Sequence, residues 1–249
     1  MTAELRVLPV IGLPEVEEGL RVGELIAGVA EIRAGDVVVV SQKIVSKAEG
    51  RVRRLASVIP GEEAKRLATR LGKDPALVEL ILSESREVLR AERGVLIVET
   101  RHGLVCANAG VDTSNLPEPG TAALLPEDPD ASARRIRAEI TAGTGTLPAV
   151  IVADSLGRAW RIGQAEISIG CAGIAPLDDW RGRHDASGRR LDATLIAIAD
   201  EAAAAADLVR AKDSRVPAAI VRGLDRHVTA EDGPGAAALR RPPDEDLFR

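Results

Sequence analysis

Two polar segments contain the side chains best suited to chemistry. Residues 106–115 contain one carboxylate, two carboxamides and two hydroxyls, and residues 154–161 contain a carboxylate, a hydroxyl and two guanidinium groups. Each segment follows an apolar run, and a polar loop at the end of a strand is a common place for ligand chemistry. Mg²⁺ and Mn²⁺ prefer oxygen ligands, typically one or two carboxylates completed by water and phosphate oxygens. We therefore predict that Asp112 and Asp154 meet in space around a divalent cation.

A third polar segment, residues 41–50, contains two lysines, two serines and a glutamine. It follows four consecutive valines at 37–40, and such a β-branched run is typical of a buried strand. Basic and hydroxyl side chains after a central strand predict a phosphate-gripping loop. The sequence contains neither G-x-x-x-x-G-K-[ST] nor G-x-G-x-x-G. A nucleotide would therefore bind by a less common route.

The elements that must position these segments mix helices and strands without strict alternation, which favours an α+β fold over a doubly wound sheet. Apolar spacing predicts helices over 22–29, 64–71 and 74–82, and a hairpin of strands near 87–89 and 95–99. Further expectations are a helix capped by Asp130 that runs to about Ile140, a strand ending at Ala153, a long helix from Asp192 to near Arg210, and a strand over 218–222.

Three stretches are expected to lie outside regular elements. Residues 141–147 predict a flexible connection, and we place a candidate internal boundary there within a single unit of residues 1–249. The Arg-rich stretch 180–190 is expected to form a surface loop or hairpin. The Pro-, Gly- and Ala-rich tail, 231–243, is expected to have few anchors.

The composition excludes several function classes. A chain of 249 residues with net charge -5 is a poor candidate for a nucleic-acid binder that relies on general attraction to phosphate. No apolar run approaches the roughly 20 residues that cross a bilayer, and the first residues lack a signal-peptide core. Two cysteines without metal-ligand spacing favour a reduced compartment. We predict a cytoplasmic protein that binds neither nucleic acid nor membrane.

Each candidate group also has a purely structural interpretation. Asp112 could cap a turn, and Asp154 could cap a following helix. Lys43 and Lys47 could form a solvated face, and the two arginines of 154–161 could make structural ion pairs. Clustering at strand ends favours the functional interpretation without excluding the other.

Four long motifs in a fixed order identify a family. They are S-Q-K-I-V-S-K-A-E-G at 41–50, V-C-A-N-A-G-V-D-T-S-N at 105–115, L-P-E-D-P-D-A-S-A at 125–133 and D-S-L-G-R-A-W-R-I-G-Q at 154–164. With these motifs the chain resembles the coenzyme F420-0 gamma-glutamyl ligase family, from L-P-V-I-G-L-P at 8–14 to the closing E-D-L-F-R at 245–249.

The resemblance implies a GTP- and Mg²⁺- or Mn²⁺-dependent ligase that adds L-glutamate to the lactyl carboxylate of coenzyme F420-0, a deazaflavin precursor, and can extend the tail by further gamma linkages. It implies an acyl phosphate intermediate, GDP and phosphate as products, a monovalent cation as a further cofactor, and an intertwined homodimer with an unusual α+β fold. The alternative is a nucleotide- or deazaflavin-binding protein without turnover.

The resemblance also assigns residues. Asp112 and Asp154 would hold one divalent ion and Ser155 would serve a second, while Asp112, Asp154 and Arg158 are the catalytic candidates. Lys212 stands where many relatives have glutamine, and an ammonium suits phosphate contact better than metal ligation. The expected nucleotide site consists of Leu13, Pro14, Glu15, Val16, Ser41, Gln42, Lys47, Asn115, Arg210, Ala211, Lys212, Asp213, Ser214, Arg215 and Val216.

Overall fold

A computed structural model of the chain describes residues 4–247, and it has the predicted α+β character. The described residues form six α-helices: α1 (Val22–Val29), α2 (Gln42–Ala48), α3 (Glu62–Leu71), α4 (Pro75–Ser83), α5 (Pro129–Thr144) and α6 (Ile198–Asp207). The strands are β1 (Arg6–Pro9), β2 (Val37–Ser41), β3 (Val52–Arg54), β4 (Ser85–Glu92), β5 (Val95–Thr100), β6 (Val105–Ala107), β7 (Thr121–Ala123), β8 (Ala149–Arg158), β9 (Arg161–Ala172), β10 (Asp178–Asp179), β11 (Leu195–Ile196) and β12 (Ala218–Arg222).

The central sheet has five strands in the order β1-β12-β2-β8-β9. Only the β2–β8 pair is parallel among them, and the other neighbours run antiparallel. The valines of β2 are all fully buried, so this strand is covered on both faces. Side chains alternate between the faces of a strand, which sends Val38 and Val40 to one core and Val37 and Val39 to the other.

The two faces are covered differently. Ile26 of α1 and Ile136 and Ile140 of α5 pack against one face. The other face packs against α6, whose buried alanines let the helix approach the sheet closely. A separate cluster joins α3 and α4 to the three-stranded sheet β4-β5-β6, which contains the predicted hairpin. Two small two-stranded sheets, β3-β7 and β10-β11, complete the sheets of the described residues.

Residues 41–50 are predicted to form a phosphate-gripping loop. The prediction of a loop is wrong, because most of these residues form helix α2. Ser41 is the N-cap of this helix, and its Oγ accepts a hydrogen bond from Lys43 N at 3.4 Å. Ile44 and Val45 are both buried, which a helical turn allows. As a result, Lys43 and Lys47 lie one helical turn apart and share a face.

The expectation that β8 ends at Ala153 is also wrong. The strand continues to Arg158 because β9 pairs with it along this length, with Asp154 opposite Ile167 and Ser155 opposite Glu166. Asp154 therefore lies within a strand and caps no helix.

Helix α5 begins two residues earlier than expected. Its N-cap is Asp128, whose Oδ1 accepts from Ala131 N at 2.9 Å, whereas Asp130 accepts the N–H groups of Cys171 and Ala236. The helix continues to Thr144 and ends at Gly145, which has φ +71°. Residues 141–144 are thus its last turn, and the flexible connection predicted there is wrong.

Two further expectations are corrected near the C-terminus. Helix α6 starts at Ile198, because Leu195 and Ile196 pair with β10. The tail is anchored, since the buried Arg137 guanidinium bonds Asp232 Oδ1 at 2.7 Å and the carbonyl of Thr229. The stretch 180–190 is exposed, as predicted. Across residues 4–247 the structure has no helix that is both long and apolar enough to span a bilayer.

Candidate active site

The site begins where β2 ends beside β8. These two strands run parallel, and their pairing stops at Ser41 opposite Ala153, while β8 continues beyond this point. Asp154 comes directly after this pair, and α2 starts directly after Ser41. Open sheets commonly bind ligands at the carboxyl ends of such strands. The third polar segment and Asp154 are therefore neighbours at this edge.

Asp112 is fixed by both its backbone and its side chain. Its main chain forms a pair of hydrogen bonds with Ala123: Asp112 N donates to the Ala123 carbonyl at 3.0 Å, and Ala123 N donates to the Asp112 carbonyl at 2.8 Å. Its Oδ1 accepts from Ser114 N at 2.7 Å, and its Oδ2 lies 2.8 Å from Lys43 Nζ. The turn-capping interpretation is therefore correct for one carboxylate oxygen, while the other faces an ammonium. Lys43 also donates to the Ser114 carbonyl at 2.8 Å.

The Asp112 carboxylate is close enough to influence the ionisation of Asp154. Burial raises the pKa of Asp154 to about 6, and the Asp112 charge adds to this rise against the opposing effects of the Ser155 N–H, Lys212 and Lys43. Burial also works to raise the pKa of Asp112, but hydrogen bonds from Lys43 and the Ser114 N–H outweigh it and lower the pKa. Asp112 is thus the stronger acid of an interacting pair.

A third group of side chains faces Asp154 from the loop after α6 and from β9. Lys212 Nζ donates to Ser155 Oγ at 2.9 Å, and Ser155 Oγ lies 3.5 Å from Glu166 Oε1. Glu166 in turn forms a buried ion pair with Arg210. The Asn115 carboxamide donates to the Lys212 carbonyl at 3.3 Å, which ties this loop to the segment that follows Asp112.

These segments surround a cavity of about 740 Å³, a size in the range of small-molecule and cofactor sites. Basic side chains come from α2 and from the loop after α6, and apolar side chains from the turn after β1. The lining residues are Leu13, Pro14, Glu15, Val16, Ser41, Lys43, Ile44, Lys47, Asp112, Ser114, Asn115, Leu116, Pro117, Glu166, Asp207, Arg210, Ala211, Lys212, Asp213, Arg215, Val216 and Pro217.

All residues expected to contact a nucleotide line this cavity except Gln42 and Ser214. The Gln42 side chain is buried, and its Oε1 accepts from Ser46 Oγ at 2.8 Å. Ser214 Oγ donates to the Ala211 carbonyl at 2.7 Å and so shapes its own loop. Lys47 does line the cavity, with its ammonium 2.5 Å from Glu15 Oε1.

The solvated-face interpretation of the two α2 lysines is wrong. Their side chains are only 16% and 10% exposed, and each ammonium faces a carboxylate. Arg158 differs from them because it is exposed, lies outside the cavity lining and donates to the Ile162 carbonyl at 3.2 Å. At about 3.3 Å of rise per strand residue, it lies about 13 Å beyond Asp154.

Sequence reasoning missed Glu166 and Asp207, both of which line the cavity. Glu166 faces Ser155 only because a bulge between Gly157 and Arg158 shifts the register of the β8–β9 hairpin. Counting back from a regular turn would have placed Gln164 there instead. Asp207 is the last residue of α6. Because the sequence predicts a helix that continues to near Arg210, it places Asp207 within the helix and not at its end beside the cavity.

The donor set fits one hard divalent ion. Two interacting carboxylates and a neighbouring hydroxyl match the oxygen ligands that Mg²⁺ and Mn²⁺ take, with water and phosphate oxygens completing the shell. Within residues 4–247 there is no group of three or more His, Cys, Asp and Glu side chains arranged for a metal.

Comparisons with known proteins show the family of this chain. A family model described as F420-0:Gamma-glutamyl ligase matches residues 10–223. A protein of Methanothermobacter thermautotrophicus named coenzyme F420:L-glutamate ligase is 43% identical over 243 residues, 97% of this chain and 96% of the relative. Proteins with the same name from Methanopyrus kandleri and Methanocaldococcus jannaschii are 44% and 41% identical, over 98% and 100% of both chains. The chain belongs to the F420-0:gamma-glutamyl ligase family.

Proposed function

We propose that this chain joins L-glutamate to the lactyl carboxylate of coenzyme F420-0, with GTP as the energy source and Mg²⁺ or Mn²⁺ as the metal. The observation that carries the proposal is Asp112 in the wall of a cavity lined by basic side chains, together with Asp154, whose pKa the Asp112 charge helps to raise. A protein that only bound a nucleotide would not need two carboxylates beside the phosphates. Full-length relatives named coenzyme F420:L-glutamate ligase support the same choice.

The basic residues of the cavity would bind and orient the triphosphate. Lys43 and Lys47 face it from α2, and Arg215 and Lys212 face it from the loop after α6. In phosphoryl transfer a protein contributes mainly position and countercharge. The apolar residues Leu13 and Val16, which also line the cavity, would pack against the flat part of the nucleotide.

Asp112 and Asp154 would hold the divalent ion, which when bound offsets the negative charge that develops as one anion attacks another. The Lys43 ammonium keeps Asp112 ionised and oriented. Asn115 and Asp112 belong to one segment, so the same loop would place both the metal and the nucleotide.

The reaction has two displacement steps. A carboxylate oxygen of F420-0 attacks the γ-phosphorus of GTP, the bond to the β-phosphate oxygen breaks, and GDP leaves. The amine nitrogen of glutamate then attacks the acyl carbon of the resulting acyl phosphate. The carbon–oxygen bond breaks, inorganic phosphate leaves and the nitrogen loses a proton. The net product is an amide, and repetition on the new glutamate would extend the tail through gamma linkages.

Arg158, a monovalent cation and the homodimer belong to this proposal as well. Arg158 lies on a hairpin whose tip exposes Trp160 and Ile162, at 75% and 101% of their full accessibility. Such a tip suits contact with a second copy, which would bring Arg158 into a neighbouring site. Light scattering tests the dimer, and dependence of turnover on K⁺ or Na⁺ tests the monovalent cation.

A direct assay tests the function. The protein is incubated with GTP, MnCl₂ or MgCl₂, L-glutamate and F420-0, and mass spectrometry follows the deazaflavin. We expect a product heavier by one glutamyl unit, with GDP formed in equal amount. GDP without that product would replace the ligase proposal with a hydrolase, and absence of both would replace it with a non-catalytic binder.

A further inference from the structure

The Lys212 ammonium lies at the metal side of the cavity. Its Nζ donates to Ser155 Oγ at 2.9 Å, and Ser155 is the residue next to Asp154. A positive charge is therefore built into the protein immediately beside the proposed divalent ion.

The backbone that carries this ammonium is held in place. Lys212 O accepts from the Asn115 carboxamide at 3.3 Å, which connects the loop after α6 to the segment of Asp112. The same loop is closed by Ser214, which donates to the Ala211 carbonyl and accepts from Val216 N at 3.2 Å. A side chain on such a loop is positioned, although Lys212 itself is exposed.

The hydroxyl beneath the ammonium has little capacity left for a metal. Ser155 Oγ donates toward Glu166 Oε1 at 3.5 Å and accepts from Lys212 Nζ. A hydroxyl has one proton and two lone pairs, and the ammonium already uses one of the latter. Asp112 also accepts from a lysine, but a carboxylate has about four lone-pair sites and can still bind an ion.

The negative charge of Glu166, which lies beside Ser155, is already neutralised by an ion pair. Glu166 is the remaining carboxylate beside Ser155, and it is neutralised by Arg210 in a pair in which both side chains are more than nine-tenths buried. A second divalent ion at Ser155 would meet the Lys212 ammonium at close range, and the carboxylate that contacts Ser155, Glu166, already has Arg210 as its partner. Many phosphoryl-transfer sites place two metal ions about 3.5–4 Å apart, and here one of those positions already carries a fixed charge.

We propose that the Lys212 ammonium takes the place of a second metal ion, so that the site binds one divalent cation, held by Asp112 and Asp154. Lys212 would contact the phosphoryl group directly as it moves from GTP to the carboxylate. Ser155 then positions this ammonium and ligates no metal. The inference rests on the proposed function and specifies its metal stoichiometry.

Counting bound Mn²⁺ tests this inference. Mn²⁺ is titrated into the protein saturated with a non-hydrolysable GTP analogue, the titration of the analogue alone is subtracted, and electron paramagnetic resonance counts the ions and detects spin-coupled pairs. We expect one isolated Mn²⁺ per chain in the wild type. Lys212→Gln, which replaces the ammonium by a neutral amide oxygen, should bind two coupled ions, and Lys212→Arg should keep one.

The outcomes separate this inference from the function itself. Two ions per chain in the wild type would overturn the single-ion site, and one ion in Lys212→Gln would overturn the claim that the Lys212 ammonium takes the place of a second ion. Either result would leave the ligase proposal intact. No bound Mn²⁺ in any of the three proteins would overturn the metal-dependent function as well. Thermal melts of the three proteins are a control for folding, and we expect them to coincide because Lys212 is exposed.

Discussion

Glu166 and Arg210 form an ion pair in which the two side chains are only 7% and 4% exposed, at the wall of the cavity. Arg210 also donates to the Pro217 carbonyl at 3.2 Å, and its Nε has no hydrogen-bond partner within the described part of the chain. Desolvation lowers the pKa of Arg210 to about 10. The pair connects β9 to the loop that carries Lys212, so it helps to fix the position of that loop relative to the sheet.

Breaking this pair should destabilise the fold more than removing it entirely. Arg210→Met leaves the Glu166 charge buried and unpaired, and we expect the free energy of unfolding to fall by about 3–5 kcal/mol. The double variant Glu166→Gln/Arg210→Met should recover part of that loss. Urea denaturation of the single and double variants measures both effects. A double variant less stable than Arg210→Met alone would contradict the assignment of a buried ion pair.

Asp154 should make stability depend on pH in an identifiable window. Its pKa is raised from an ordinary 3.8 to about 6, so between these values the folded chain retains a proton that the unfolded chain has released. The free energy of unfolding therefore decreases as pH rises through this window and stays reduced above it. Removing the Asp154 charge by substitution should therefore restore the free energy of unfolding that is lost in this window.

Asp154→Asn should accordingly be more stable than the wild type at pH 7.5, by about 2 kcal/mol once solvent screening is considered, and nearly equal to it at pH 3.5. Urea titrations at the two pH values check this. The control is Asp192→Asn, since that side chain is 81% exposed. Equal shifts for the two variants would show that Asp154 is not the cause.

Lys47 should affect the use of GTP more than the use of glutamate. Its ammonium lines the cavity beside Glu15 and would contribute to phosphate binding. For Lys47→Ala we expect KM for GTP to rise about tenfold or more, on the scale of one lost charge-assisted hydrogen bond, with KM for glutamate little changed. Steady-state kinetics with each substrate varied in turn measures the two values.

The matched control for this variant is Lys65→Ala on the outer face of α3, where the ammonium pairs with Glu62. It should leave both KM values at the wild-type level. Equal increases in the two KM values of Lys47→Ala would argue that the lysine stabilises the cavity as a whole.

A glycine of β9 should tolerate no side chain. A Cβ at Gly170 would lie 2.2 Å from the Pro129 carbonyl carbon, at the start of α5. Gly170→Ala must therefore push β9 and α5 apart, and we expect a loss of about 1–3 kcal/mol in unfolding free energy. At Gly157 of the neighbouring strand a Cβ meets nothing within 4 Å. Thermal melts of Gly170→Ala and Gly157→Ala compare them, and equal midpoints would be the contrary outcome.

Periodicity predicted helices α1, α3 and α4 and the α+β class, because these patterns depend only on nearby residues. It failed where distant pairing decides the conformation. Asp154 is strand because β9 lies beside it, and α6 starts late because Leu195 pairs with Asp179. The polar residues of the site were visible as strand-end clusters, whereas Glu166 depended on a bulge that no local pattern encodes.

The central claim is that Asp112 and Asp154 act together on one metal ion beside a triphosphate, and turnover of Asp154→Asn tests it most directly. Glutamyl product is quantified by mass spectrometry for the wild type, Asp154→Asn and Asp192→Asn at saturating GTP, glutamate and F420-0, with increasing MnCl₂. We predict that Asp154→Asn forms less than about one thousandth of the wild-type product, the scale of losing a main electrostatic contact to the transition state. Asp192→Asn should match the wild type, and wild-type turnover by Asp154→Asn would contradict the account.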